Sequence, residues 1–561
     1  MKLTGAQIMM KVLQEEGVDT IFGYPGGAVI DIFDELDKTD IRHVLVRQEA
    51  CAVHAADGYA RAGSRVGVCL VTSGPGATNT VSGIASAYMD SIPVVIFTGQ
   101  VPTHLIGNDA FQEVDTVGIT RPCTKHNYLV KRTEDLARII KEAFLIASSG
   151  RPGPVLVDIP KNVSATAIDY KAPPKATLKS YNPTYTPNVK QLHKVVSLIK
   201  AAKTPMIFAG GGVILSGAAK ELTELARKTR IPVTTSLMGL GGFPGTDPLW
   251  LGMIGMHGTY RANMCTGECD LLIGIGVRFD DRVTGKTDEF ALKAKIVHID
   301  IDPTSIRKNI PVTAPVVGDC KITLAKLNKL LDKENLGDLN KTRKKWFDQI
   351  RRWKDTQPLA YKQTDVIKPQ YVVEKLYELT KGKAIITTEV GQNQMWAAQY
   401  YHYDKPNHFI TSGGLGCMGF GLPAAIGAQL ACPNKLVVDI AGDGSIQMNI
   451  QEMTTAVQNN LPVKIVILNN GHLGMVRQWQ ELFFEKRYAA TCLDCAPDFV
   501  KLADAYGAEG LRATKPEEVE TVLKKGLASK RPVIMDFVVE KEECVYPMVP
   551  AGAPVTEMLL V

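Results

Sequence analysis

Strand-sized apolar runs alternate with helix-length segments along the whole chain, and this alternation limits the fold more than any other feature. The runs at 66–71 and 271–275 are examples, and the Ala-rich stretch 50–62 is of helical length. Such alternation predicts βαβ units, in which helices cover both faces of a parallel sheet. We therefore expect an α/β protein with three doubly wound parallel-sheet domains. The predicted strands lie at 20–22, 66–71, 94–98 and 155–158, then at 206–209, 233–235, 271–275 and 296–301, then at 384–387, 436–440, 463–468 and 533–537.

Two stretches of unusual composition mark the domain boundaries. Residues 171–188 contain four prolines and few aliphatic side chains, which is typical of a linker. Residues 332–368 are dense in charge and predict a helix followed by a connector. The two outer blocks are of similar size, as in a duplicated α/β unit with an insertion. The predicted division is an N-terminal domain 1–170, a linker 171–188, a central domain 189–345, a connector 346–368, a third domain 369–540 and a C-terminal tail or lid 541–561.

Composition and charge exclude several classes of protein. The 561 residues are 45% hydrophobic and carry a net charge of +6, too dilute for a nucleic-acid-binding protein. No apolar run approaches the ~20 residues of a membrane helix, and no targeting peptide is visible. The 11 cysteines are an odd, scattered set, so we interpret the pairs Cys492/Cys495 and Cys265/Cys269 as free thiols. We expect a soluble, cytoplasmic protein without nucleic-acid or membrane partners.

The most informative motif pairs a carboxylate with an amide at the ends of two predicted strands. Gly442-Asp443-Gly444 follows the strand 436–440, and Asn470 follows the strand 463–468, 27 residues after Asp443. This spacing suits a strand, a crossover helix and a returning parallel strand, so both side chains should emerge at one sheet edge. Asp443 and Asn470 are suitable ligands for Mg²⁺ bound to a diphosphate, with the carbonyl of His472 as a further ligand. A tight turn and a strand cap are the structural alternative.

The same segment resembles the diphosphate-binding motif of thiamine diphosphate enzymes, GDG followed by NN. Motifs from about residue 3 to the last few residues narrow the resemblance to the catalytic large subunit of acetohydroxyacid synthase, also called acetolactate synthase. They are FGYPGGA (22–28), RQEACAVHAADGYARA (47–62), TSGPGATN (72–79), DAFQE (109–113), GMHGT (255–259), RFDDRVTG (278–285), GLGCMGFGLPAAIGAQ (414–429), MVRQWQ (475–480) and YPMVPAGAP (546–554).

The resemblance implies a transferase of branched-chain amino-acid biosynthesis. Such an enzyme decarboxylates pyruvate on thiamine diphosphate and transfers the two-carbon unit to a second pyruvate or to 2-oxobutyrate. The implied cofactors are thiamine diphosphate, Mg²⁺ and flavin adenine dinucleotide (FAD). The implied partners are a second copy of the chain, as a homodimer or dimer of dimers, and a separate small regulatory subunit. A flavin-dependent pyruvate oxidase, a flavin-free catabolic acetolactate synthase and a non-catalytic nucleotide-binding scaffold remain as alternatives.

By the same resemblance, the thiamine diphosphate site lies between the first domain of one subunit and the third of its partner. Glu49 matches the glutamate that activates the pyrimidine ring, although a glutamate at a helix N-terminus is also favoured by the helix dipole alone. Met418 would support the bent cofactor, unless it is an ordinary core methionine. The full implied set is Tyr24, Gly26, Glu49, Thr72, Asn79, Gln112, Gly391, Gln392, Asn393, Gly416, Met418, Gly442, Asp443, Gly444, Ser445, Asn470 and His472.

Further residues match the substrate-contacting and flavin-contacting positions of the family. Trp479 is the expected acceptor-selecting residue and Arg278 the partner of the acceptor carboxylate; a structural tryptophan and a surface ion-pair loop are the alternatives. The implied catalytic set is Glu49, Phe111, Gln112, Lys161, Arg278, Met475 and Trp479. The implied FAD set is Arg151, Gly210, Gly211, Gly212, Ser236, Leu237, Met256, His257, Gly276, Arg278, Asp280, Arg282, Val283, Asp300, Asp319 and Cys320.

One departure from the family pattern concerns the third domain. Asn393 stands where many relatives have histidine, so a titratable group is missing there and a pH effect at this position is in doubt.

Overall fold

The computed structural model describes residues 1–560, which form three six-stranded sheets, each entirely parallel. The predicted α/β class and its three doubly wound sheets are therefore confirmed. A short antiparallel pair, Lys2–Thr4 with Ala167–Asp169, joins the beginning of the first unit to its end. We call each sheet with its helices a unit.

The first unit has a sheet whose strands run, in spatial order, Arg42–Leu45, Thr20–Tyr24, Gly67–Val71, Val94–Gln100, Val155–Pro160 and His126–Leu129. Its inner strands are continuous buried apolar runs, as expected of a sheet covered on both faces. The helices are Gly5–Glu15, Ile30–Leu36, Glu49–Gly63, Pro75–Asn79, Val81–Asp90, Thr116–Thr120, Thr133–Ser148 and Lys161–Ala165.

The third unit repeats this topology. Its strands run Phe409–Ile410, Ile385–Thr388, Val437–Gly442, Lys464–Asn469, Val533–Val538 and Glu509–Ala513, so both sheets have the order 2-1-3-4-6-5 when numbered along the chain. The equal order supports the interpretation of the outer blocks as a duplicated unit. The helices are Pro369–Thr380, Gln392–Tyr400, Gly421–Ala431, Asp443–Ile446, Glu452–Gln458, Gly474–Phe483, Phe499–Ala505 and Pro516–Ala528.

The middle unit has a different order, 3-2-1-4-5-6, which is that of dinucleotide-binding sheets. Its strands run Trp250–Met253, Val233–Thr235, Pro205–Ala209, Leu271–Ile275, Lys295–Asp300 and Ala314–Val317. Its helices are Val189–Ala201, Gly211–Leu215, Ala219–Thr229, Tyr260–Glu268, Asp281–Thr284 and Cys320–Leu331, and the helices Leu339–Thr342 and Lys344–Thr356 follow it.

In the three six-stranded sheets, every strand outside the twelve predicted ones lies at an edge. They are Arg42–Leu45, His126–Leu129, Trp250–Met253, Ala314–Val317, Phe409–Ile410 and Glu509–Ala513. Edge strands are paired on one side only and are often short or polar, so they lack the continuous apolar run that identifies a central strand. Pro315, which cannot donate a ladder hydrogen bond, is tolerated for the same reason.

The first and third units pack through two helices, Glu49–Gly63 and Gly421–Ala431. A Cβ atom on Gly58 would lie 2.2 Å from the carbonyl oxygen of Ala424, and one on Gly427 would lie 1.9 Å from that of Ala55. These two glycines therefore allow the helix backbones to touch, since any side chain there would overlap backbone atoms. The contact fixes the first unit, including Glu49, against the third.

Candidate functional site

Asp443 and Asn470 lie at the ends of two neighbouring parallel strands, as their spacing predicts. The strands Val437–Gly442 and Lys464–Asn469 pair in parallel, with Gly442 opposite Leu468. Helix Asp443–Ile446 starts at once after the first strand, and the second strand ends directly before Asn470. Both polar side chains therefore emerge at the carboxyl edge of the sheet, where open α/β folds bind ligands.

The carboxylate of Asp443 has the properties of a cation ligand. Its residue is 1% exposed, and neither oxygen has a hydrogen-bond partner. Burial raises the pKa of Asp443 to about 7, an increase that the nearby backbone N–H groups of Asp443, Asn470 and Gly471 partly oppose. A buried carboxylate without a partner is costly, and a bound cation would remove that cost.

The Asn470 side chain is oriented by its neighbours. Its Nδ2 donates to Oε1 of Gln392 (3.1 Å), and its Oδ1 accepts from the backbone N–H of His472 (3.1 Å). Nδ1 of His472 lies 3.0 Å from the carbonyl oxygen of Asn470. Within residues 1–560, no three His, Cys, Asp or Glu side chains converge on one point. The residues here fit Mg²⁺, which takes few carboxylates and fills its shell with amide, carbonyl, water and phosphate oxygens.

A buried network extends from this edge through Gln392. Its Nε2 donates to Oε1 of Gln478 (2.9 Å) and to the carbonyl of Glu543 (3.0 Å) in the C-terminal tail. Asn393 donates to the carbonyls of Glu389 (3.0 Å) and Ile440 (2.8 Å), so its amide links strand Val437–Gly442 to the residue that follows strand Ile385–Thr388. Gln478, which the sequence reasoning missed, stands directly before Trp479 in the motif MVRQWQ.

Glu49 is the first residue of helix Glu49–Gly63, whose N-terminus is capped by the side chain of Gln48. Its Oε2 accepts a hydrogen bond from Nδ2 of Asn79 (2.8 Å). The hydroxyl of Thr72 is buried without a partner nearby, and a Cβ on Gly26 would lie 2.5 Å from it. Four predicted residues, Glu49, Asn79, Thr72 and Gly26, thus come from three separate connections at the carboxyl edge of the first sheet.

The other first-unit residues of the predicted thiamine diphosphate and catalytic sets are exposed or half-buried. Tyr24 is 40% exposed and Phe111 is 88% exposed, and Gln112, which follows Phe111 and has a φ of 59°, is exposed as well. Lys161 is half-buried at the start of helix Lys161–Ala165. No hydrogen bond or ion pair within residues 1–560 joins Glu49, Phe111, Gln112 or Lys161 to Asp443 or Asn470. The two predicted halves are therefore not joined by a direct polar contact within one chain.

Every residue of the predicted FAD set lines one large cavity, which has a volume of about 1570 Å³. Its floor is the point where the order of the middle sheet reverses, between Pro205–Ala209 and Leu271–Ile275. Glycines allow close backbone approach there: a Cβ on Gly212 would lie 2.7 Å from the Cα of Gly276. Residues of the predicted thiamine diphosphate and catalytic sets line the same cavity, namely Gly391, Gly416, Met418, Met475 and Trp479.

The polar groups around this cavity are specifically held. Burial raises the pKa of Asp300 to about 6, and Oδ1 of Asp300 accepts from the backbone N–H of Asp302 (2.8 Å). Arg151 donates to Ser91 (2.8 Å) and to Asp302 (3.1 Å). Burial lowers the pKa of His257 to about 4, so its ring is neutral at pH 7. A neutral ring, paired carboxylates and glycine-lined walls suit a dinucleotide.

Two carboxylates around this cavity, Asp302 and Asp319, make contacts that the sequence did not predict. Asp302, which was not predicted, is the carboxylate that pairs with Arg151; its position two residues after Asp300 was the available signal. Asp319 lines the cavity, but its side chain caps helix Cys320–Leu331 by accepting from the N–H of Ile322 (2.9 Å). Its carboxylate is therefore engaged in a structural role as well.

Comparison with known proteins identifies the family. Three family models of thiamine pyrophosphate enzymes match the chain: the N-terminal TPP binding domain at residues 3–119, the central domain at 192–327 and the C-terminal TPP binding domain at 389–537. The chain is 49% identical to the acetolactate synthase large subunit of Haemophilus influenzae, over 100% of this chain and 98% of that protein. The chain belongs to the acetolactate synthase large subunits.

Two further relatives show the same correspondence. Identity to the acetolactate synthase isozyme 3 large subunit of Escherichia coli is 49%, over 100% of this chain and 98% of that protein. Identity to a probable acetolactate synthase large subunit of Methanococcus aeolicus is 47%, over 99% of this chain and 95% of that protein. The similarity therefore includes all three units, the linker and the tail.

Two further expectations concern membrane-spanning helices and the cysteines of residues 1–560. None of the helices there combines the length and apolar character needed to span a bilayer. All 11 cysteines are free; Cys492 and Cys495 are exposed, and Cys265 and Cys269 are buried. The interpretation of both pairs as thiols agrees with these positions.

Proposed function

We propose that this chain is the catalytic subunit of an acetolactate synthase, which condenses pyruvate with a second pyruvate or with 2-oxobutyrate in branched-chain amino-acid biosynthesis. The observation that carries the proposal is the buried, unpaired carboxylate of Asp443 beside Asn470 in a chain that matches this family over its full length. Thiamine diphosphate, when bound, supplies an ionisable carbon that can add to a 2-oxo acid and a cationic ring that can take up the electron pair left behind when carbon dioxide departs.

Asp443 and Asn470 would hold Mg²⁺ through side-chain oxygens, and His472 through its carbonyl. Gly442, Gly444, Ser445, Gly391, Gln392 and Asn393 would surround the diphosphate. Two features support this assignment: Asp443 lacks any hydrogen-bond partner, and Gln392 fixes the orientation of the Asn470 amide. Mg²⁺ at this point would offset negative charge on both the carboxylate and the diphosphate.

The carboxyl group of Glu49 would share a proton with the pyrimidine ring through a hydrogen bond. Tyr24, Gly26, Thr72, Asn79 and Gln112 would surround that ring. The Glu49 carboxylate already accepts from Asn79, so Oε2 is oriented before any ligand arrives. The exposure of Phe111 and Tyr24 supports a site completed by the third unit of a second copy. We therefore include a homodimer, or a dimer of dimers, in the proposal.

FAD would occupy the large cavity, along the wall formed by Gly210, Gly211, Gly212 and Gly276. Carboligation transfers no net electrons, so the flavin would have a structural role. The strand order of the middle sheet and the glycine contacts at its reversal support this assignment. Arg278 lines the same cavity as Met475 and Trp479, which supports a role for its guanidinium in binding the acceptor carboxylate.

Met475 and Trp479 would form the substrate wall, with Phe111, Gln112 and Lys161 contributed by the second copy. Trp479 would select the acceptor because its large ring sits at the cavity, packed edge-on against Phe483 at 5.5 Å. The proposal extends to the domain division at 170, 188, 345, 368 and 540, to a cytoplasmic location and to a separate small regulatory subunit.

The test is a reconstitution assay on the purified chain. Acetolactate should form from pyruvate when thiamine diphosphate, Mg²⁺ and FAD are all present, and its rate should fall when each is withheld after dialysis against a chelator. Inactivity of the fully loaded protein would contradict the proposal and favour a non-catalytic scaffold.

The principal rival is a flavin-dependent pyruvate oxidase. Anaerobic incubation with pyruvate separates the two activities, because the oxidase reduces its flavin and a carboligase does not. We expect acetolactate with the flavin absorbance near its oxidised value. Rapid bleaching of the flavin would support the oxidase.

A further inference from the structure

Residues 413–419, which we call the glycine loop, are shared by the two predicted cofactor sites. The loop connects strand Phe409–Ile410 to helix Gly421–Ala431. Gly413, Gly414, Leu415, Gly416 and Met418 line the large cavity, and the last two of these also belong to the predicted thiamine diphosphate set. Whatever holds this loop therefore affects both sites.

A carboxylate from the first unit holds the beginning of the glycine loop. Asp90 ends helix Val81–Asp90; its Oδ1 accepts from the N–H of Gly414 (2.7 Å) and its Oδ2 from the N–H of Gly413 (3.1 Å). Its side chain is 1% exposed. Hydrogen bonds from two successive N–H groups to one buried carboxylate fix both the position and the orientation of the backbone.

The charge of Asp90 is compensated by Arg61. Nη2 of Arg61 lies 3.0 Å from Oδ2 of Asp90, and its Nε lies 2.6 Å from Oδ1 of Asp57. Nη1 of Arg61 donates to the carbonyl of Thr411 (2.8 Å), just before the glycine loop. Asp57 therefore belongs to the same buried ion network as Asp90, but only Asp90 contacts the glycine loop directly.

The contact also brings in the middle unit. A Cβ on Gly414 would lie 2.8 Å from Oδ1 of Asp90, 2.8 Å from Cβ of Met89 and 3.1 Å from Nη2 of Arg278. Gly414 is thus pressed between Asp90 and the guanidinium proposed to bind the acceptor. The far end of the glycine loop is held by the third unit itself, where Glu389 accepts from the N–H groups of Gly419 (2.6 Å) and Leu422 (3.1 Å).

We propose that Asp90 is a positioning residue for both cofactor sites of the same chain, acting through the backbone of Gly413 and Gly414. This inference rests on the proposed function, since it concerns flavin and thiamine diphosphate. It assigns to the first unit a second role: besides carrying Glu49, it sets the cofactor-contacting wall of the third unit within its own chain.

The first experiment measures the glycine loop without any cofactor. Hydrogen exchange of a peptide containing residues 411–420 is followed in the cofactor-free protein, in wild type, Asp90→Asn and the matched control Asp57→Asn. The amide hydrogens of Gly413 and Gly414 should exchange at least about tenfold faster in Asp90→Asn than in wild type, because the uncharged amide is a weaker acceptor. Asp57→Asn also removes one carboxylate charge from the ion network, but it removes no hydrogen bond to Gly413 or Gly414, so this peptide should stay protected. Equal exchange in all three proteins would overturn the inference.

The second experiment measures cofactor affinity by flavin fluorescence quenching and by thiamine diphosphate titration. Asp90→Asn should weaken both by about tenfold, while Asp57→Asn stays near wild type. If Asp90→Asn does not fold, Gly414→Ala replaces it; the added Cβ must move the loop away from Asp90 and should weaken flavin binding in the same direction. Wild-type protein that binds no flavin would contradict the proposed function. Wild type and Asp90→Asn with equal affinities would contradict only this inference.

Discussion

The first and third units share a strand order but differ in how complete their halves of the proposed thiamine diphosphate site are. Asp443 and Asn470 are buried and oriented by bonds within one chain. Tyr24 and Phe111 of the first unit are exposed in that same chain. The difference teaches that a duplicated fold can divide its work: one half is organised for binding within a single chain, and under the proposed dimer the other half would be covered by a second copy.

The largest effect is expected in the first unit. Glu49→Gln keeps an oxygen that can accept from Asn79 but removes the ionisable group, so kcat for acetolactate formation should fall about 10²–10⁴-fold. Thiamine diphosphate affinity, measured by calorimetry, should change much less. Full activity of the variant would remove the catalytic assignment of Glu49.

A mixing experiment tests whether the two halves come from different chains. Glu49→Gln and Asp443→Ala, each inactive alone, are unfolded together and refolded. Hybrid dimers would contain one intact site, so about a quarter of wild-type activity should return. No recovery, with hybrids demonstrated by mass spectrometry, would show that both halves come from the same chain.

The next effect concerns metal binding in the third unit, where two adjacent asparagines provide a matched pair. Asn470→Ala should weaken Mg²⁺ activation by more than about 100-fold, because a side-chain ligand is lost. Asn469→Ala should have a small effect, since Asn469 donates to Asp536 (3.0 Å) instead. The measurement is the Mg²⁺ concentration for half-maximal activity. Equal shifts in the two variants would contradict the assignment of Asn470.

A smaller change is expected in acceptor choice. Trp479→Leu should alter the ratio of the products from 2-oxobutyrate and pyruvate by about tenfold, because it changes the apolar contact of one substrate side chain. Phe483→Leu is the control, since Phe483 packs against Trp479 but does not line the cavity. Product ratios are measured by competition of the two acceptors. An unchanged ratio in Trp479→Leu would exclude Trp479 as the selecting residue.

The smallest effect concerns stability at a carboxylate of the first unit that lies outside the proposed site. Burial raises the pKa of Asp158 to about 7, against hydrogen bonds from Thr98 (2.6 Å) and Gln100 (3.0 Å), with Asp115 as the nearby charge. The folded pKa exceeds the unfolded one, so the contribution of this carboxyl is greatest below about pH 4 and is lost as the pH rises towards 7.

Asp158→Asn removes that dependence. The melting temperature of the variant minus that of wild type should therefore increase by about 2 °C between pH 4 and pH 7. A flat difference for Asp158→Asn, measured by scanning calorimetry, would mean that this carboxyl does not titrate in that range.

The sequence determined the fold class, the central strands and the residues that meet at the third sheet's edge. Central strands are continuous apolar runs because both of their faces are buried, and the spacing of Asp443 and Asn470 matches one βαβ crossover. Edge strands such as His126–Leu129 could not be predicted, since one of their sides lies open and their composition carries a weaker signal.

Only the tertiary structure decided which distant segments share a hydrogen bond. Asp90 and Gly414 are 324 residues apart, and Arg151 and Asp302 are 151 apart. No local pattern encodes such pairs, because their partners are chosen by how the three units pack. Hydrophobic periodicity specifies which face of an element is buried, but the close approach of Gly58 and Gly427 to opposing backbone decides where one unit rests on another.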